Sequence, residues 1–132
     1  MFEWNDKYSV GYEKIDDQHK ELLSIGKELE DLIKYHGGED IYDSIVESID
    51  RIKEYTIFHF EFEENMLEEG NYKFLDAHKV EHEKFIDQLD GIDLSEIDEN
   101  QEESIMDIMK FVSKWIFKHI MGTDMQYKGM LG

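Results

Sequence analysis

Two stripes at helix period carry polar residues where a core should be, and no other feature of the chain limits its fold as strongly. Ile41, Ile45, Ile49, Ile52, Thr56, His59, Glu63 and Met66 follow one another in steps of three and four, the period of a helix face turned towards a core. Leu75, His78, His82, Phe85, Ile86 and Leu89 form a second stripe. His59 and Glu63 are four residues apart, as are His78 and His82, so each pair shares one helix face, one turn apart. An unpaired carboxylate in a core costs several kcal/mol unless a charge or a metal compensates it. The remainder of the sequence reads as the source of that compensation.

The 132 residues suffice for one domain with a real core and not for two. With no proline, long helices run uninterrupted; with no cysteine, disulfides, thiolate-held zinc and cysteine-held iron–sulfur clusters are excluded. Residues 1–14, with Trp4, Tyr8 and Tyr12 off any helical spacing, are predicted to form an extended arm laying its aromatics over something apolar. Four helices are predicted over about 16–36, 40–69, 72–90 and 100–122, with 123–132 as a tail. Asp16 or Asp17 is the candidate N-cap of the first. Gly37-Gly38 and Gly70-Asn71 mark turns, and residues 91–100 read as a longer acidic connection. Four amphipathic helices with short connections predict an all-α, antiparallel up-down-up-down four-helix bundle.

In that topology the starts of helices one and three share an end with the finishes of helices two and four. His19 is early in the first helix, His59 and Glu63 late in the second, His78 and His82 early in the third, and His119 at the end of the fourth. Counted from Gly70, His59 and His82 lie eleven and twelve residues away, or ~16–18 Å at the helical rise. Glu63 and His78 match at seven and eight. Five of the six histidines thus fall on inner stripes at one end. The sixth, His36, sits beside Gly37 and is predicted to meet the end of the first helix. Buried imidazoles and a carboxylate without a metal would leave many polar atoms unpaired, so the pattern predicts a metal site.

Asp124 follows His119 by five residues, with Gly122-Thr123 between. That spacing suits a widened or ended last turn that swings the carboxylate back over the site. Five histidines, Glu63 and Asp124 are too many donors for one ion and suit two. If both carboxylates and one oxide or hydroxide bridge, three histidines complete six-coordination on one ion, and the other keeps one open position.

His19, His59-x3-Glu63, His78-x3-His82 and His119-x4-Asp124, together with Trp4, Trp115 and the tail Asp124-x2-Tyr127-Lys128-Gly129, resemble the hemerythrin family over nearly the whole chain. The solitary domain and the 91–100 connection look more like its bacterial branch than its animal carriers. The resemblance implies two iron ions (Fe2+/Fe3+) with a bridging oxide or hydroxide. It implies that His78, His82 and His119 hold one and His19 and His59 the other, with Glu63 and Asp124 bridging. O2 is the implied partner, with small anions such as azide as mimics, bound at the two-histidine iron. Leu22, Phe60, Trp115, Ile116 and Met121 are the candidate lining of the oxygen pocket; Met121 stands where the family often has leucine.

A ferritin-like oxidase would draw on Glu-x-x-His pairs, but the residues three before the histidines are Asp16, Ile33, Thr56, Leu75, Lys79 and Ile116. A histidine-rich site with few carboxylates favours the ferrous state and reversible binding over oxygenation. The function expected is therefore reversible O2 binding, for storage, delivery, scavenging or sensing, and not catalysis. The alternative is a di-iron enzyme consuming O2, peroxide or nitric oxide. With 33 acidic residues against 14 basic and a net charge of −19, nucleic acid and anionic membranes are repelled as partners. No apolar run approaches the ~18–20 residues that span a bilayer, and the N-terminus has no signal-peptide pattern. The expected location is cytoplasmic, and no protein partner is indicated.

Overall fold

The computed structural model describes residues 1–99 and 101–130, without the side chains of Ile33, Asp98 and Glu99; helical spacing also predicts Ile33 on the inner face of the first helix, a position that lies outside the described set. Five helices are present among the described residues: α1 (Glu13–Tyr35), α2 (Tyr42–Glu69), α3 (Leu75–Asp90), α4 (Leu94–Glu99) and α5 (Gln101–Lys118). A 3-10 turn at Asp6–Tyr8 precedes them, and a π turn (His119–Thr123) runs into a 3-10 turn (Asp124–Tyr127) after them. There is no strand among the described residues.

The apolar stripes turn inward. Ile15, Leu22, Leu23, Ile25 and Leu29 from α1 are buried with Ile45, Ile49, Ile52 and Phe60 from α2, Phe85 and Leu89 from α3, and Ile105, Met109, Val112 and Ile116 from α5. α1 packs along α2 and α5, and α2 along α3. α3 meets α5 through Phe85, whose ring stacks on Trp115 at 4.1 Å and on Phe111 at 5.6 Å. Full burial of such side chains contributes ~1.5–3 kcal/mol each.

The boundaries differ from those predicted for reasons visible in the contacts. α1 begins at Glu13, a turn before Asp16. Asp16 is not its cap: its carboxylate accepts from the Val10 backbone N–H at 2.9 Å and from Ser9 Oγ, tying residues 9–10 to the helix. α1 ends where Gly37 and Gly38 take φ of +62° and +84°, a region glycine enters without steric cost. After Gly70 it is Asn71 that takes the left-handed conformation, at φ 55°, and the Tyr72 N–H returns to the Leu67 carbonyl at 2.9 Å. That turn delays α3 to Leu75.

The 91–100 connection is not an open loop. Asp93 Oδ1 accepts from the Ser95 and Glu96 backbone N–H groups at 3.0 and 3.4 Å, capping α4. Ile97, only 2% exposed, anchors the short helix in the main core.

The first residues hold more than aromatics resting on a surface. Trp4 and Tyr8 pack against the main core as partly buried rings, but Phe2 enters it and is 4% exposed. Its seat is Gly26, where a Cβ would lie 2.4 Å from the Phe2 ring. Val10 joins Ile15, Leu67, Tyr72 and Tyr127 in a second, smaller cluster, whose Tyr72 and Tyr127 rings touch His78.

Candidate metal centre

Seven side chains from α1, α2, α3 and the turns after α5 converge in the interior: His19, His59, Glu63, His78, His82, His119 and Asp124, each 3% exposed or less. The i, i+4 spacing delivers the pairs from α2 and α3. His119 and Asp124 need a different device, because five residues of α-helix leave side chains ~140° apart. The π turn supplies it: the Asp124 N–H donates to the His119 carbonyl, five residues back, and the carboxylate returns to the face that carries His119.

Each carboxylate faces two ways. Glu63 Oε1 lies 2.7 Å from His78 Nε2 and 3.1 Å from His82 Nε2. Its Oε2 lies 3.8 Å from His59 Nε2 and accepts a hydrogen bond from the Tyr127 hydroxyl at 2.8 Å. Asp124 Oδ1 is 3.0 Å from both His78 Nε2 and His119 Nε2, and its Oδ2 is 3.2 Å from His19 Nε2. Donor atoms of Glu63, His78, His82, His119 and Asp124 all lie within 4.8 Å of one another, and those of His19, His59 and Glu63 form a second such group.

These contacts are not an ordinary hydrogen-bonded network. Both ring nitrogens of His19, His78 Nδ1 and both oxygens of Asp124 have no hydrogen-bond partner among the described residues, although several lie 3.0–3.2 Å from another polar atom. His82 Nε2 and His119 Nε2 face each other at 3.1 Å. Buried polar atoms are almost always paired, and buried nitrogens and carboxylate oxygens that converge this closely with several left unpartnered are what a common cation satisfies. A nitrogen-rich set with two carboxylates also suits iron better than a hard, oxygen-seeking cation. The residues fit a pair of such ions.

The electrostatics of the metal-free chain point the same way. Burial alone would favour the neutral form of His78, but the Asp124 and Glu63 carboxylates outweigh it and push the imidazole up to about 10. His119 is raised against its burial chiefly by Asp124. Burial pushes His59 down to about 4. Burial and Asp124 act to raise Glu63, yet the His78 and His82 rings hold it below the usual carboxylate range. Asp124, despite its burial, is likewise held low, with His119 its strongest imidazole partner. Tyr127 is driven up by burial and by Glu63, so its hydroxyl stays a donor.

Two of the imidazoles are clamped by rings. Phe60 stacks on His82 at 3.7 Å with planes 3° apart, and Trp115 stacks on His119 at 4.4 Å and 14°. Of the predicted oxygen-pocket residues, Leu22, Phe60 and Ile116 are buried, and Trp115 is partly so. Trp115 lies against His119 of the three-histidine group, and Phe60 touches both groups, stacked on His82 and 5.8 Å from the His59 ring. Met121 is 44% exposed; the π turn that brings Asp124 inward carries residue 121 to the surface. His36, away from the site, accepts the Gly38 N–H on Nδ1 at 3.0 Å and meets Glu102 through Nε2 at 3.1 Å.

Sequence reasoning did not single out the groups behind the histidines. His59 Nδ1 meets Gln18 Oε1 at 2.7 Å, His82 Nδ1 meets Glu64 Oε2 at 2.8 Å, and His119 Nδ1 lies 3.5 Å from Glu81 Oε1. Adjacency to a ligand is the one available signal: Gln18, Glu64 and Glu81 each neighbour a ligand in sequence.

Residues 10–131 match the hemerythrin HHE cation binding domain. A bacteriohemerythrin from Clostridium acetobutylicum is 39% identical over 127 residues, covering 96% of this chain and 98% of that protein. A myohemerythrin from Theromyzon tessulatum is 31% identical over 132 residues, covering 98% and 93%. The crystal structure of wild-type hemerythrin superposes with a TM-score of 0.80 at 27% identity, covering 98% of this chain and 96% of that one. A family domain spanning almost the whole chain, and relatives matched end to end, lead to one conclusion: this chain belongs to the hemerythrin family.

Proposed function

We propose that this chain is a non-haem di-iron protein that binds O2 reversibly, as a single domain built as an up-down-up-down four-helix bundle, with residues 1–14 as its arm and α4 as part of a connection. His78, His82 and His119 hold one iron and His19 and His59 the other, with Glu63, Asp124 and an oxide or hydroxide between them. One observation carries the reading: both carboxylates turn one oxygen to the three-histidine group and the other to the two-histidine group. An iron pair held by these residues would supply the electrons that reversible O2 binding needs.

The protein's own groups prepare the site for that exchange. Tyr127 holds Glu63 Oε2 by its hydroxyl at 2.8 Å, and the Phe60 and Trp115 rings fix the planes of His82 and His119. Leu22 and Ile116 are buried one turn from His19 and His119 in the helices that carry them, and their apolar surface helps to keep water from the iron pair. Three histidines against two leave the open position on the two-histidine side. No helix of the described residues is long and apolar enough to cross a membrane, and a cytoplasmic location is part of this reading.

The test is to load the protein with iron and follow its visible spectrum through cycles of air and vacuum. Two irons per chain and a band that comes and goes over repeated cycles are expected. One metal per chain, or zinc as the tightly held native metal, overturns the reading. Oxygen uptake that is never returned favours the enzyme alternative.

A further inference from the structure

The histidines are supported unequally from behind. Glu64, with a side chain 24% exposed, presents Oε2 to His82 Nδ1 at 2.8 Å. Glu81 presents Oε1 to His119 Nδ1 at 3.5 Å, while its Oε2 accepts from the Thr123 hydroxyl at 2.7 Å. Among the described residues the counterpart on the two-histidine side is neutral, Gln18 Oε1 at 2.7 Å from His59 Nδ1, and His19 Nδ1 has no hydrogen-bond partner. Both anionic partners thus stand behind one group.

Resting on the di-iron reading above, we infer that Glu64 and Glu81 are positioning residues that make the His78–His82–His119 site the tighter of the two and the more strongly electron-donating. A carboxylate that accepts the Nδ1–H fixes the tautomer with its lone pair on Nε2 and stabilises positive charge drawn onto the ring. An amide oxygen also fixes the tautomer but adds no charge. Phe60, parallel to His82 within 3°, holds the ring so that Nδ1 points at Glu64 while Nε2 faces the site. Glu81 lies further from its histidine, and its bond to Thr123 also steadies the π turn that delivers Asp124. Glu64 is therefore the stronger of the two supports. The ion at this site loads first, leaves last, and is held further towards its ferric state than its neighbour.

The experiment loads the full chain anaerobically with ferrous ion and follows its removal by an excess of ferrous chelator. The parent should release two ions in two phases. Glu64→Gln, which keeps the shape and removes the charge, should speed the slow phase at least tenfold, the lower end of what losing such a partner costs in metal affinity, and leave the fast phase alone. Glu81→Gln should do the same more weakly, and Gln18→Glu should slow the fast phase. Glu64→Gln should also raise the reduction potential of the slow-leaving iron; a tenfold change in its ferric-to-ferrous ratio is about 59 mV for a one-electron couple. A parent that binds one ion overturns the di-iron reading itself. Two ions released in a single phase, a slow phase unmoved by Glu64→Gln, or both phases accelerated alike, overturn the inference and leave the di-iron reading standing.

Discussion

Gly26→Ala should destabilise the protein, although glycine inside a helix is normally a weakness. Alanine in a helix interior is favoured over glycine by ~1 kcal/mol. At this position the new Cβ would fall 2.4, 2.6 and 2.8 Å from three atoms of the Phe2 ring, closer than any real contact. Phe2 lies outside every helix, so the ring leaves its seat sooner than the helices separate. Exposing it forfeits ~1.5–3 kcal/mol of burial, and the net change is a loss of ~0.5–2 kcal/mol. Removing the ring first reverses the sign: in a Phe2→Ala background, Gly26→Ala should stabilise by ~1 kcal/mol. Urea denaturation of the four proteins of this cycle, with metal content held equal, reads both numbers from midpoints at constant slope. If Gly26→Ala stabilises the parent, or acts with the same sign in both backgrounds, Phe2 does not occupy the notch and the reasoning fails.

Glu63→Ala should lose both ions together, because the two oxygens of one carboxylate face both groups; elemental analysis finding one ion retained would refute a shared bridge. Iron uptake should release protons and strengthen as pH rises towards about 10, since His78 in the metal-free chain keeps its proton up to that pH; calorimetry in buffers of different ionisation enthalpy measures the release. The same raised pKa stabilises the metal-free fold fully below the unfolded value of ~6.5, and that stability is lost as pH rises through about 10. His59, pushed down to about 4, works oppositely, costing metal-free stability as pH falls from ~6.5 towards that value. Thermal melts across this range should show the gap between loaded and metal-free protein widening at alkaline pH, and a constant gap would contradict it. Leu22→Trp should slow O2 binding sharply while both irons stay bound; stopped-flow rates equal to the parent's would place the oxygen route elsewhere.

The all-helical character of the chain and the convergence of seven polar side chains were legible in sequence for a simple reason. Six histidines among 132 residues are few enough that five of them on inner stripes, two at i, i+4, stand out from the background. The five-residue gap from His119 to Asp124 indicated a widened or ended turn, because no α-helix puts those positions on one face, and the folded chain takes the widened one. Contacts that carry no period were not legible. The seating of Phe2 on Gly26 joins residues 24 positions apart in sequence, and nothing local marks either partner. Asp16 reads as a cap from its neighbours, yet only the folded chain shows it gripping Val10. Glu64 and Glu81 are two of 33 acidic residues, and adjacency to a ligand does not separate them from Glu83, which also neighbours His82; which carboxylate reaches a histidine depends on how α2, α3 and the π turn pack. Met121 reads as a pocket residue by its place beside the last ligands, and the same π turn that carries Asp124 in carries Met121 out. Local periodicity determined which residues could converge; packing of distant segments decided what stands behind them.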